Sequence, residues 1–376
     1  MSPSPKSKPA AKQVGQLFII GFDGTELSAA LADMLNRIQP AGVILFARNI
    51  VNAQQTHKLL KDCQSCVRER LFTAVDLEGG RVDRFRSLTG PAPSAAEVFA
   101  TRDRKLFRRQ GELIGKICAA LGFNLDFAPV LDLAFEASRK VMSSRAFSTD
   151  PKAVVLYARE FLSGLKSAGV IGAGKHFPGL GEGNLDSHHD LPVIKKSFAH
   201  LWKEDIVPYR LMKRELPLAL VNHASYPDVT RDRLPASLSK YWITDVLRRK
   251  IGYRGLVVSD DLEMDGVLAA ASIDQAAAEF IAAGGDLCLI CHQPEGIEQA
   301  YETMLRKAER DARFRRRVLE SARRVTAFKK KSKELKRRAP APLPEKISRL
   351  STQLWEFSEQ VRLQALSPAA AAGAGR

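Results

Sequence analysis

The sequence predicts an α/β fold: a single (β/α)8 barrel with a basic helical C-terminal extension. Three observations carry this. Eight short apolar, β-prone runs recur along the chain, each followed by a helical pattern: Leu17–Phe22, Gly42–Phe46, Phe72–Val75, Leu125–Pro129, Val170–Gly174, Leu218–Val221, Gly255–Ser259 and Asp286–Ile290. Their apolarity is continuous rather than alternating, as in parallel strands buried on both faces. Asp76, Lys175, His176, His223 and Asp260 all lie just past the C-terminal ends of such runs, where barrel enzymes build their sites. Strands alternating with helices give a parallel sheet, and eight such units fit a closed barrel of the TIM type better than an open sheet.

Composition agrees with one large soluble domain. The chain has 376 residues, 45% of them hydrophobic, enough for a single core. Residues 1–12, rich in Pro, Ser and Lys, read as a disordered leader. The first apolar run is too short for a signal peptide, and no run reaches the ~18 apolar residues of a membrane span. A cytoplasmic protein is therefore expected. The barrel is assigned to residues 13–335 and the extension to 336–376. The extension carries one amphipathic helix over Glu345–Ala365 and an Ala/Gly-rich, disordered end. Trimming it is expected to spare activity.

Five cysteines in an unexported chain argue for reduced thiols. Two C-x-x-C pairs, Cys63/Cys66 and Cys288/Cys291, raise the question of zinc. They are more than 200 residues apart, and Cys288 and Cys291 lie in an apolar run where Cys behaves as a small hydrophobe. No metal is expected.

The formal net charge is +16, and residues 306–338 alone carry 16 Lys/Arg against 4 Asp/Glu. Such a stretch can attract nucleic acid or an anionic surface. Only Phe314 and Phe328 interleave with it, and no nucleic-acid-binding fold is evident. The favoured reading is a solvated helical face, with neither nucleic acid nor membrane as partner.

Three elements carry chemistry. Lys175-His-Phe-Pro-Gly-Leu-Gly-Glu-Gly-Asn-Leu-Asp-Ser-His-His-Asp190 begins with a cation and an imidazole at a strand end. It continues through a glycine-rich loop and delivers Asp186 and His188 two residues apart. An Asp beside a His can fix its tautomer and raise its basicity. Gly255-Leu-Val-Val-Ser-Asp-Asp261 ends a strand in two carboxylates. Neighbours on a strand point opposite ways, so one can act as a nucleophile while the other caps the next helix. In Asp76-Leu-Glu-Gly-Gly-Arg-Val-Asp-Arg84, Asp76 can accept two sugar hydroxyls and Arg84 can donate a fork of hydrogen bonds.

Together these elements resemble glycoside hydrolase family 3, in its β-N-acetylhexosaminidase branch. Asn124-Leu-Asp-Phe-Ala-Pro-Val130, Arg145-Ala-Phe147, Pro235-Ala-Ser-Leu-Ser239 and Ser259-Asp-Asp-Leu262 resemble it too, over about residues 16–293. The resemblance implies Asp260 as nucleophile, His188 as general acid/base and Asp186 as its partner. It implies Asp76, Arg84, Arg145, Lys175 and His176 as ligands of a non-reducing N-acetylglucosamine. It implies no metal or organic cofactor. Leu180 departs from the pattern, which usually has a polar residue, often His, at that place. The implied protein is a monomeric, retaining exo-enzyme of cell-wall recycling that trims N-acetylglucosamine from peptidoglycan fragments. The alternatives are a β-N-acetylglucosaminide phosphorylase and a non-catalytic barrel that binds sugar or nucleic acid.

Overall fold

The computed structural model describes residues 13–181, 191–337 and 340–366. The expected leader (1–12) and the expected disordered end (367–376) lie outside them.

Each apolar run contains a strand: β1 (Phe18–Ile20), β2 (Gly42–Ile44), β3 (Phe72–Val75), β4 (Leu125–Asp126), β5 (Ile171–Phe177), β6 (Leu218–Val221), β7 (Leu256–Asp261) and β8 (Leu287–Ile290). They close in sequence order, with β1 pairing β8 in parallel. The expected (β/α)8 barrel is the observed fold. Side chains alternate across the sheet. Ile19, Ile44, Phe72, Ala74, Leu125, Ile171, Ala173, Leu218, Leu220, Leu256, Val258, Leu287 and Leu289 fill the interior as one cluster. Phe18, Ile20, Val43, Val75, Val221, Val257 and Ile290 belong to a second cluster with the surrounding helices.

Helix boundaries follow local chemistry. The helix Pro151–Ala168 starts with an Asp150 cap and Pro at its first position, and it stops at Gly169 in a left-handed conformation, the usual asymmetry of helix ends. It crosses the helix Arg104–Leu121 closely. A Cβ on Gly111 would lie 2.1 Å from the Phe161 carbonyl oxygen.

The C-terminal end of the helix Ala312–Lys331 closes the N-terminal face of the barrel. Val325 and Leu335 join the interior cluster, and the Phe328 ring lies 6.0 Å from that of Phe72. Buried Lys329 donates from Nζ to the Ala41 carbonyl (2.7 Å) and to Gln16 Oε1 (3.1 Å).

The final helix, Pro344–Ala365, buries Leu350, Leu354, Phe357 and Val361 on one face. It packs on the helix Arg104–Leu121 and on the short helices Arg86–Thr89 and Ala95–Ala100. The Arg109 guanidinium sits 5.7 Å over the Phe357 ring, and Ser351 Oγ donates to the Thr89 carbonyl (3.0 Å). The extension is thus packed on the barrel wall through an apolar face. No helix among the described residues is long and apolar enough to cross a membrane. All five cysteines are free thiols.

Candidate active site

Within the barrel, register irregularities fall at two places: between Gly174 and Phe177 of β5, and opposite Leu287 and Leu289 where Val258 and Asp261 of β7 pair. These are the strand ends that carry Lys175–His176 and Asp260–Asp261. Bulges of this kind re-aim side chains next to active sites.

On the β3 side, the chain leaves Val75 through Asp76 into a small hairpin, Leu77–Gly79 with Val82–Asp83. Gly79 and Gly80 both have positive φ, 85° and 61°. A Cβ on Gly79 would also lie 2.2 Å from the Pro93 carbonyl oxygen, so glycine is required there. The hairpin turns Glu78 inward. Buried Lys175 donates from Nζ to Asp76 Oδ1 (2.8 Å) and contacts Glu78 Oε1 at 2.6 Å. Arg145 forks onto Glu78, with Nε to Oε2 and Nη2 to Oε1, both 2.8 Å. Burial alone would raise the Glu78 carboxyl, but Lys175 and Arg145 outweigh it and hold it far below its ordinary range. Burial opposes the charge on Lys175 as well; Asp76 and Glu78 overcome it and raise its pKa.

His176 continues this network. Its Nδ1 lies 2.6 Å from Asp132 Oδ2, and its Nε2 lies 3.4 Å from Arg145 Nη2. A guanidinium can only donate, so Nε2 accepts and Nδ1–H donates to Asp132. Asp132 also accepts from the Leu180 backbone amide (2.7 Å). The position where the family pattern is broken thus contributes its main chain to the network.

On the β7 side, Asp260 is half-buried, and its Oδ1 accepts from the Asp261 amide (3.0 Å). Below it lies His223 of the β6 end, with Nε2 2.9 Å from the Asp261 carbonyl and Nδ1 2.7 Å from Ser237 Oγ. A carbonyl only accepts, so Nε2 carries the proton and Nδ1 accepts from Ser237. Burial lowers the His223 pKa against the opposing pull of Asp260, which keeps the ring neutral near pH 7. His176 also pushes the His223 pKa down, so the β5 and β7 ends share one electrostatic environment.

Asp261 points away to a different task. Its Oδ1 accepts from the Glu263 amide (3.1 Å), and its Oδ2 lies 3.5 Å from His292 Nε2. Burial and the adjacent Glu263 push its carboxyl up to about 7. Asp261, Glu263 and His292 are the cluster among the described residues with the spacing of metal ligands. Glu263 is already engaged by the backbone amides of Cys291 and Gln293, 2.7 Å each, and of His292. That arrangement ties the β8 loop to the β7 end.

Of the site residues expected from sequence, Asp76, Arg145, Lys175 and His176 are joined in one network. Arg84 stands apart from it, with its Cζ 5.5 Å over the Phe46 ring and its buried Nε without a partner among the described residues. Asp186 and His188 lie outside the described residues. Sequence reasoning missed Glu78 and Asp132. Glu78 stands two residues after the strand-end Asp76, and Asp132 two residues after the quoted stretch that ends at Val130, and those positions were the available signal.

Carboxylates, cations and imidazoles converge at the C-terminal mouth of a closed (β/α)8 barrel, and a neutral histidine bonds the main chain next to a half-buried aspartate there. This is the architecture of a barrel glycosidase. Residues 10–328 match the glycosyl hydrolase family 3 N-terminal domain; the chain belongs to this family and is a glycoside hydrolase. It is 36% identical over 309 residues to a "Beta-hexosaminidase" of Bordetella avium, covering 80% of this chain and 87% of that one. A protein of the same name from Alkalilimnicola ehrlichii is 39% identical over 286 residues, covering 74% and 81%. Among solved structures, a family 3 β-N-acetylglucosaminidase of Paenibacillus superposes with TM-score 0.85 at 30% identity, over 93% of this chain and 68% of that chain. A β-N-acetylhexosaminidase of Beutenbergia cavernae gives TM-score 0.77 at 26% identity, over 85% and 98%.

Proposed function

We propose that the chain is a retaining exo-β-N-acetylglucosaminidase that acts on peptidoglycan fragments in the cytoplasm by double displacement. The observation that carries this reading is the Asp260 carboxylate at the β7 end, held by the Asp261 amide while His223 of the β6 end bonds the Asp261 carbonyl, beside the ion network of Asp76, Glu78, Arg145 and Lys175. The β-hexosaminidase names of the relatives support the substrate class. In this reading, residues 13–335 form the catalytic barrel and 336–376 an extension. Asp76, Arg84, Arg145, Lys175 and His176 hold the non-reducing sugar.

The Asp260 carboxylate attacks the anomeric carbon. The glycosidic bond breaks, and its oxygen leaves with a proton from His188, which Asp186 supports. Water then attacks the glycosyl ester and gives a proton back to His188, and Asp260 is released as carboxylate. A nucleophile in contact with the anomeric carbon leaves no room for an inverting water. The first product should therefore be the β-anomer, read by proton NMR during hydrolysis of a chromogenic N-acetylglucosaminide. An α-anomer as first product would overturn the mechanism. Product analysis with an anhydro-muropeptide, with and without phosphate, tests the substrate and the hydrolytic outcome together. A sugar phosphate as main product would make the enzyme a phosphorylase.

A further inference from the structure

The catalytic reading leaves most of the positive charge unused, and the structure gathers part of it on the face opposite the active site. Three cavities adjoin there. The first, about 550 Å³, lies against the starts of β3 and β4 and is lined by Lys61 and Arg68 with Leu60 and Val67. The second shares Arg70 and Gly122 with it and adds Arg337 and Lys346. The third, about 580 Å³, shares Glu334 with the second and lies under β5 and β6, lined by Lys166, Arg214 and Lys331 with Leu162 and Phe328. Lining residues such as Thr73, Asn124, Ile171 and Pro217 begin or precede strands, so the groove crosses the N-terminal face of the barrel.

Its charge is one-sided. Lys61, Arg68, Lys166, Arg214, Lys331 and Lys346 are exposed, and none makes an ion pair among the described residues. Two carboxylates also line the groove, Glu215 paired with Arg159 of the same cavity and Glu334 bonded to Ser332, so the six exposed cations leave the balance strongly positive. Glu215 accepts the Arg159 fork at 2.8 Å from each nitrogen, and Glu334 Oε2 accepts from Ser332 Oγ (2.6 Å). These six cations come from five separate places in the chain, and of them only Lys331 belongs to the basic stretch 306–338, which also supplies Arg337 to the lining.

We propose that this groove binds a single-stranded phosphate polymer. Cations spaced along adjoining cavities suit a chain of phosphates. The two larger cavities, about 550 and 580 Å³ and walled in part by Leu60, Val67, Leu162 and Phe328, have room for a base. Binding there leaves the catalytic mouth open.

The test is fluorescence anisotropy of the full chain with a labelled oligothymidylate, and separately with inorganic polyphosphate. Six phosphate contacts give a log–log salt slope of about −4, or roughly 250-fold weaker binding between about 50 and 200 mM salt. Reversing the first cavity (Lys61→Glu with Arg68→Glu) and the third (Lys166→Glu with Lys331→Glu) should each weaken binding at least about tenfold. Glycosidase activity, which reports folding, should stay unchanged. Tighter binding of the oligothymidylate than of polyphosphate at equal phosphate assigns the walls to bases; equal binding assigns recognition to phosphate alone. Binding indifferent to salt or to either pair of reversals would overturn the proposal. So would anionic phosphatidylglycerol vesicles binding as tightly as the oligomer and losing as much on reversal.

Discussion

Glu78→Gln tests the electrostatic frame of the site at its most connected point. Glu78 is buried and holds Lys175 at 2.6 Å and Arg145 twice at 2.8 Å. Without its charge, buried Lys175 keeps Asp76 as its carboxylate partner, and half-buried Arg145 keeps only the weaker pull of Asp132 and Asp76. Removing one partner of a buried pair costs about 3–5 kcal/mol, and glutamine keeps one acceptor oxygen, so about 3 kcal/mol is expected. Over 376 residues, an unfolding entropy of about 2 cal/mol/K per residue makes that a melting shift of roughly 4 °C. Loosening one charged hydrogen bond to the sugar, worth about 1.5–3 kcal/mol, lowers kcat/KM about 10- to 100-fold. The pH sign is fixed by the depressed carboxyl. Its stabilisation is fully present above the unfolded value of about 4.3 and is lost only as pH falls through the lower folded value. The difference in melting temperature between parent and variant should therefore persist at pH 5. Calorimetry and initial rates on a chromogenic N-acetylglucosaminide read both effects. A variant with parental melting temperature and kcat/KM would refute the idea that Glu78 aligns Arg145 and Lys175.

Three further outcomes are expected. Asp260→Ala should abolish turnover while leaving the melting temperature near parental, and a slow 2-fluoro sugar should label Asp260 in the parent; a label on Asp261 would reassign the nucleophile. Burial pulls the Lys329 amine down to about 7, so the unfolded chain holds its proton up to about pH 10.4 while the folded chain does not. Stability should thus rise from pH 7 toward pH 10 by up to ~1.4 kcal/mol per unit. Lys329→Met should remove that part of the slope in denaturant titrations, and a slope equal to the parent's would show that the amine stays charged. Deleting residues after 342 exposes the sites of Leu350, Leu354, Phe357 and Val361, at roughly 1.5–3 kcal/mol each as an upper bound. The truncated chain should melt well below the parent or precipitate; an unchanged melting curve would mean that the helix contributes nothing.

The barrel was legible because a strand buried on both faces cannot hide its composition: all eight apolar runs contain a strand. Their ends were less legible. The runs were read as stopping at Gly174 and Ser259, where polar residues begin, yet β5 continues to Phe177 and β7 to Asp261. Backbone pairing carries on past the point where apolarity stops, and it is this polar overhang that holds Lys175, His176 and Asp260. Conversely, β4 ends at Asp126 although the apolar run reaches Pro129, a residue with no N–H to give to a ladder. The place of Glu78 two residues after Asp76 was a signal, but its partners could not be read because they are distant in the chain; Arg145 lies 67 residues away. The last helix was read as amphipathic from its spacing, which could not say that its apolar face would find the barrel wall.

Charge shows the same limit most clearly. Counting along the chain placed the excess in residues 306–338, and the helical pattern there suggested a solvated face. Part of that stretch is not solvated: Lys329 is buried under the barrel, and Arg324 donates to buried Asp286 at 3.1 Å. Meanwhile Lys61, Arg68, Lys166 and Arg214, from stretches with no unusual charge density, meet Lys331 on one face. A barrel brings every strand start to the same side, so the helix ends and loops before β3, β5 and β6 pool their side chains there whatever their separation in sequence. The potential that a polyanion meets is set by that pooling. It follows that reversing Lys61 and Arg68 should weaken polyanion binding more than reversing two exposed arginines of the basic stretch remote from the groove, such as Arg313 and Arg316. The contrary ranking, measured at one salt concentration, would give the leading role to the basic stretch and not to the groove.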